Sequence, residues 1–408
     1  VGGGPAGMMA AGHAAELGAR VVLIEKNAKL GRKLLITGGG RCNIFNAEFD
    51  DKKLVAKYGK KGKALFGSFA RFGVQETLEF FESRGLPIKV EAENRAFPNS
   101  DKASDVWATM LAYLKSHTVK VLYNTAVTGV LHRAGMVTGI ATDAGVITAD
   151  NYIIATGGKS RPETGSTGEG FVWMKKIGHT VDESDPALVP VTIHEQWLKD
   201  LSGASFTHAG LTVFQDGKKQ QSKTGKLLIT HFGLSGPLAL NMSKGISELF
   251  KYAPVQLEID LFPDMQSEQL DTILLEAINA GLNKQIKNAI SGVLAPKLIP
   301  LILTKCGIDS EKESRDITRI ERGRMVTFLK HIPVTVSGFL GVEKAIVTSG
   351  GVSLDEIDFK TMRSKLYPNL FLAGDILNFD RPSGGFSLQI CWTTGYLAGE
   401  NSALRPES

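Results

Sequence analysis

The sequence predicts an α/β + β fold: a Rossmann-like dinucleotide-binding domain, discontinuous in the chain, with an inserted small β-barrel or sandwich domain and a small helical domain. Three observations predict it. The chain opens on a glycine loop, a helix of small residues, an apolar strand and an acid, in that order. Near residue 182 the alternation of strands and helices stops, and short strands with turn signals take over. Much later, "NLFLAGDILNFDRPSGGFSLQICWTTGYLAG" returns to a strand, a Gly-Asp turn and a helix.

The opening stretch, "VGGGPAGMMAAGHAAELGARVVLIEK", runs from Val1 to Lys26. Gly2, Gly4 and Gly7 fit G-x-G-x-x-G. One glycine permits a tight turn, one lets backbone approach a pyrophosphate, and one lets a helix pack closely on a strand. Pro5 and Ala6 begin a helix whose N-terminal N–H groups and dipole favour phosphates. "ARVVLIEK" reads as a buried parallel strand. Glu25 at its end, beside Lys26, is placed to accept both ribose hydroxyls of an adenosine. A strand is expected before Gly2, and only Val1 of it is present, so the pattern predicts residues upstream; nothing signals a targeting segment.

Further along, "VQETLEFFESRGLPIKV" reads as an amphipathic helix, a glycine stop and a strand. A helix and a run of short strands with glycine turns follow, ending in the apolar "YIIATGG". "ALVPVTI", "GLTVFQDGKKQ" and "GKLLITHFGLSGPLAL" are then short strands, with "QDGK" a hairpin signal. The expected division is 1–181 with 345–408 for the nucleotide domain, 182–263 with 332–344 for the barrel, and 264–331 for the helical insert.

The composition is that of a globular protein: 408 residues, 43% hydrophobic and 22% charged, with no apolar run long enough to cross a bilayer. Cys42, Cys306 and Cys391 lie far apart with no C-x-x-C, which excludes a zinc ribbon and a redox disulfide of that type and fits a cytoplasmic location. No metal site is expected. The net charge of +5 is unevenly placed. Lys53, Lys57, Lys60, Lys61 and Lys63 fall between Lys52 and Arg71 without an acid. Lys218, Lys219, Lys223 and Lys226 sit in the hairpin region, and Arg315, Arg319, Arg322 and Arg324 follow helical spacing. Each run alone reads as solvated surface; the three together favour a polyanionic partner.

Four pieces converge on one site. The opening loop with Glu25 is the first. "KLGRKLLITGGGRCNIFN" is the second: its Gly38, Gly39 and Gly40 let backbone approach a flat ring or phosphate, and Arg41 offers a planar cation. "ATGGKSRPETGSTGEG" is a glycine-rich loop at a strand end. In "LFLAGD", Asp375 is placed to bond a ribityl hydroxyl or the pyrophosphate edge. Gly384 and Gly385 then lead into a helix whose N-terminus would stabilise the anion of a reduced flavin. A tightly held FAD follows, so the first domain is expected to be a Rossmann-like FAD-binding domain.

These motifs, with "THFGLSGP" and "AIVTSGGV", resemble the BaiN/RdsA-type family of FAD-dependent oxidoreductases, also labelled aminoacetone-oxidase-like. The resemblance covers essentially the whole chain. It implies FAD contacts from Gly2, Gly4, Pro5, Ala6, Gly7, Glu25, Lys26, Lys33, Gly39, Gly40, Arg41, Cys42 and Asn43. It also implies contacts from Val127, Thr156, Gly157, Gly158, Gly374, Asp375, Gly385, Phe386 and Leu388. The chain departs from the family pattern at Phe45-Asn46, and at "DRPSGG", where Asp380 is kept and Arg381, Pro382 and Ser383 are added or substituted. Both departures bear on substrate fit more than on FAD binding.

The resemblance implies hydride transfer from reduced flavin to an activated C=C bond. Uridine in large-subunit (23S) ribosomal RNA, reduced to dihydrouridine, is the favoured substrate. A small-molecule reductase of conjugated carbonyls, an amine or aminoacetone oxidase, and a flavin-holding module without catalysis are the alternatives. NAD(P)H has no second glycine motif to hold it and would act as a transient reductant. Cys42 and His231 are the candidate proton donors. The alternative for Cys42 is packing against the ring, and for His231 capping a barrel turn.

Overall fold

The computed structural model of the chain describes residues 1–182, 186–340, 347–348 and 350–404, without the side chains of residues 60, 61, 186, 187, 347 and 348. The expected boundary at 344/345 and Ala345, Ile346 and Ser349 of "AIVTSGGV" lie outside the described residues, as do the Lys60 and Lys61 side chains. The chain divides into two compact units, Val1–Ala187 with Val342–Ser408, and Leu188–Gly341.

The first unit begins with α1 (Pro5–Glu16), which has proline in its first turn and Gly4 before it. Alanine and glycine make this helix thin, and it is buried on nearly every side from Ala6 to Ala14. β1 (Val22–Ile24) pairs in parallel with a strand further along, with Leu23 opposite Val121. The opening residues extend this sheet: Gly2 N–H donates to the Ile24 carbonyl at 2.9 Å, and Ala155 N–H to the Val1 carbonyl at 2.8 Å. α2 (Ala103–Ser116) and β2 (Lys120–Leu122) complete the first crossover. An antiparallel meander over Val127–Arg133, Met136–Thr142 and Gly145–Ile147 precedes β3 (Tyr152–Ile154). α3 (Glu169–Lys176) follows the second glycine-rich loop.

The second unit contains a closed antiparallel barrel. Its strands are β4 (Val191–Ile193), β5 (Ser205–Gln215), β6 (Lys218–Thr230) and β7 (Gly233–Ser235), then, after α4 (Gly236–Phe250), β8 (Gln256–Asp260) and, after the helices, β9 (Ile332–Phe339). They join in the order β4-β7-β6-β5-β8-β9, and β9 pairs back with β4. The β5–β6 hairpin turns at Asp216 and Gly217, both at positive φ (50° and 70°), the conformation a two-residue turn demands. Residues 264–331 supply α5 (Ser267–Ala280) and α6 (Arg319–Lys330) among other helices. Leu270, Leu274, Met325 and Leu329 on these helices share one core with Leu257 and Val334 of the barrel.

The chain then returns to the first unit. β10 (Leu370–Leu372) pairs in parallel with β3, Phe371 opposite Ile153. α7 (Phe386–Ala403) lies against α1, and glycines make the approach close: a Cβ on Gly395 would sit 2.5 Å from the Ala6 carbonyl oxygen, and one on Gly399 2.6 Å from that of Ala10. Parallel apolar strands around a glycine loop, with helices on their flanks, are the Rossmann pattern.

Candidate functional site

A cleft opens in the first unit beside the glycine loop. Backbone geometry explains the loop's composition. Gly2 has φ +99°, and a Cβ there would lie 2.5 Å from the Ala155 carbonyl oxygen. A Cβ on Gly7 would collide with the Gly2 carbonyl. Nothing stands within 4 Å of the Cβ position of Gly4, which faces the cleft. No side chain caps α1, so its first N–H groups are left for an anion. Glu25 is buried at the end of β1. Its Oε2 accepts from Gly3 N–H at 2.8 Å, and its Oε1 from Asn27 N–H at 2.8 Å and Asn27 Nδ2 at 2.6 Å. An ionised carboxylate has lone pairs beyond these three bonds, and Glu25 lines the cleft, as a ribose acceptor must.

Eleven of the residues expected at the cofactor line this cleft: Gly2, Gly4, Pro5, Ala6, Glu25, Lys26, Lys33, Val127, Thr156, Gly157 and Asp375. Lys26 ties the second glycine-rich loop across the mouth, its Nζ donating to Thr167 Oγ1 and Glu169 Oε2, each at 2.8 Å. Asn27 Nδ2 adds a bond to the Thr164 carbonyl at 3.3 Å. The Thr156 hydroxyl oxygen is buried with no hydrogen-bond partner among the described residues, an unmade bond in a residue of the cleft wall. Asp375 accepts from Arg381 Nη1 at 2.7 Å and faces Lys33 Nζ at 3.5 Å. Burial would raise the Asp375 carboxyl, but the charges of Arg381 and Lys33 hold it below the usual carboxylate range. Uncapped N–H groups, a fixed ribose acceptor, an ionised carboxylate at the far side and an unpartnered hydroxyl together fit FAD.

The other expected residues lie elsewhere in the two units. Gly7 and Gly374 pack the loop and turn from behind, Gly374 N–H donating to Thr394 Oγ1 at 2.9 Å. Gly158 and Leu388 are buried. Gly39 and Gly40 have exposed backbone outside the cleft lining. Arg41 lies outside the cleft lining. Its guanidinium is bound by Glu91 and Asp101, each at 2.5 Å, and stacks 4.1 Å from the Phe97 ring centre. Asn43, with its amide oxygen toward the one available donor, accepts from Gly385 N–H at 3.1 Å and so ties this loop to the start of α7. Phe386 is held by its carbonyl, which accepts from Tyr58 OH at 2.9 Å.

Cys42 lies outside the cleft lining. It has no exposed surface, and burial pushes its thiol up to about 12 despite a bond with Thr37. This burial favours the packing role for Cys42 over that of proton donor. His231 is exposed in the turn between β6 and β7, edge-on to Phe232. Sequence reasoning missed Asn27, Thr167, Glu169 and Arg381. Each acts on a partner, and in the first three the partner or the loop it holds is more than a hundred residues away, so no local pattern announces it.

The HI0933-like protein Rossmann domain matches residues 1–401 of the chain. The chain is 30% identical over 414 aligned residues to the 3-dehydro-bile acid delta(4,6)-reductase of Clostridium scindens, covering 100% of this chain and 98% of that one. It is 27% identical to the ribosomal RNA dihydrouridine synthase of Escherichia coli, covering 98% and 96%. Among solved structures, the 3-ketosteroid delta1-dehydrogenase of Sterolibacterium denitrificans shares the fold, with a TM-score of 0.55 at 13% identity over 99% of this chain and 98% of that one. With a glycine-loop cleft shaped for FAD and a match along nearly its whole length, the chain belongs to the HI0933-like Rossmann family of flavoprotein oxidoreductases.

Proposed function

We propose that the protein is an FAD-dependent reductase of a C=C bond conjugated to a carbonyl, and that its substrate is a uridine of large-subunit ribosomal RNA, which it converts to dihydrouridine. The dinucleotide cleft carries the reading. Its residues divide the work of holding FAD: backbone N–H groups at α1 for the pyrophosphate, Glu25 for the adenosine ribose, and Asp375 for a ribityl hydroxyl. Bound and reduced, FAD supplies the hydride, with NADH or NADPH as the transient source of electrons. His231 is the proposed proton donor, because its imidazole is exposed and the Cys42 thiol is not.

Both relatives support the choice of reaction, since a delta(4,6)-reductase and a dihydrouridine synthase are named for saturating a C=C bond. Two basic surfaces support the choice of RNA. Lys52, Lys53, Lys57 and Lys63 are exposed and make no ion pair among the described residues, and the same holds for Lys218, Lys219, Lys223 and Lys226 on the barrel hairpin. The third run does not share this character. Arg322 is spent on Asp271 through two bonds of 2.6 and 2.9 Å, and Arg315 pairs with Glu313.

The test is mass spectrometry of unmodified large-subunit ribosomal RNA after anaerobic incubation with the flavoprotein and NADPH or NADH. One new dihydrouridine is the expected product. A flavin that the nicotinamide reduces, with no change in the RNA, overturns the substrate. The second reading is a small-molecule reductase of conjugated ketones, favoured by the higher identity to the bile-acid enzyme, 30% against 27%. It predicts oxidation of the nicotinamide on addition of a 4-en-3-one steroid.

A further inference from the structure

Asp375 stands on the cleft wall with both carboxylate oxygens engaged from the protein side. Arg381, six residues on, reaches Oδ1 at 2.7 Å. Lys33 faces Oδ2 at 3.5 Å, and its own ammonium is anchored on Ser160 Oγ at 2.6 Å. The Arg381 side chain has no exposed surface. A full positive charge has thus been taken out of water, which is costly unless a fixed opposite charge meets it. Asp375 and Lys33 line the cleft and Arg381 stands behind them, outside its lining. Its backbone is restrained as well: Pro382 disfavours helical geometry at 381, and Ile376, Leu377 and Phe379 are fully buried just before it.

We propose that Arg381 is a positioning residue: it locks the Asp375 carboxylate in the orientation that presents its remaining lone pairs to the cleft, and thereby sets how tightly FAD is held. An ionised carboxylate accepts hydrogen bonds and donates none, so it suits a hydroxyl. Left alone it would repel a pyrophosphate. Two cations against one carboxylate give the cluster a net single positive charge, so an anion can lie nearby. Lys33 alone is a flexible point charge; the guanidinium supplies the direction.

The experiment follows FAD release from diluted holoprotein by the rise in flavin fluorescence, with apoprotein melting temperatures alongside. Arg381→Met releases FAD about tenfold faster or more, the scale expected for removing one charge-assisted hydrogen bond. Arg381→Lys restores only part of the retention, because an ammonium supplies the charge without the fixed direction. Asp375→Asn strands the Arg381 charge and can fail to fold. The double variant Arg381→Met/Asp375→Asn removes both charges, and it releases FAD no faster than Arg381→Met alone, because Arg381 acts on the cofactor through the Asp375 carboxylate. Retention unchanged in Arg381→Met overturns the proposal. So does a double variant that releases FAD markedly faster than Arg381→Met. Neither readout depends on which C=C bond the enzyme reduces.

Discussion

Cys42 shows how burial decides chemistry at a single residue. Its neighbours in sequence suggest a flavin-facing acid, yet the side chain is wholly inside the core and the residue adopts φ +61°. Cys42→Ala is expected to keep dihydrouridine formation within about twofold while lowering stability by about 1–2 kcal/mol, read from product yield and a urea melt. Two buried histidines carry a pH dependence. His13 is stacked 3.7 Å from the Tyr396 ring and bonds Glu16 at 3.0 Å; His179 sits between Glu356 at 2.7 Å and Ser364 at 3.0 Å. Burial lowers both imidazoles below 6.5, and the neighbouring glutamates only partly offset it. The folded protein therefore binds these protons less readily than the unfolded chain. Their contribution is complete above 6.5 and is lost as pH falls through the lowered folded values. The melting temperature should be level above neutrality and drop steadily below pH 6.5, and His179→Gln should flatten that drop.

Among elements, the α1–α7 pair does most to shape the cofactor unit. Ala6 and Ala10 on one helix face Gly395 and Gly399 on the other, and the backbones nearly touch. Gly399→Leu is expected to cost about 1–3 kcal/mol by forcing the helices apart, measured by denaturant unfolding. Gly7→Val should yield colourless protein, since its side chain collides with the Gly2 carbonyl and displaces the phosphate loop; a yellow, FAD-bound variant would refute that. The glycine loop, α1, β1 and the acid after it were legible in the sequence because each is a local pattern with its own spacing. So was the hairpin at Asp216-Gly217, where the turn chemistry is unambiguous. The loop from Gly38 to Asn43 was harder. Its glycines announce a tight backbone path, and Gly38, Gly39, Gly40 and Cys42 do take positive φ. Where Arg41 points depends on Glu91 and Asp101, fifty and sixty residues away. The strap that Lys26 makes with Thr167 and Glu169 was invisible for the same reason.

At the scale of the molecule, two units have two separate cores. Calorimetry is expected to show that FAD raises the transition of the first unit and leaves that of the barrel unit where it was, because a ligand stabilises only what binds it. The lysine surfaces act at this scale too. Replacing Lys53, Lys57 and Lys63 by glutamate should weaken binding to ribosomal RNA and lower the salt slope by roughly 0.9 for each phosphate no longer neutralised, with FAD absorbance unchanged. Unchanged binding would assign those lysines to solvation alone. The split of the first unit around the second has a further consequence, in time rather than space. A ribosome makes α1 and the glycine loop early, then all of the barrel, and only afterwards Asp375 and α7. At common elongation rates that interval is on the order of 20–80 s. Throughout it α1, apolar on nearly every side, lacks its partner helix and is a natural client for a chaperone. Flavin capture is therefore expected to wait on the last stretch of synthesis, and a chain stalled before α7 should fail to retain its cofactor.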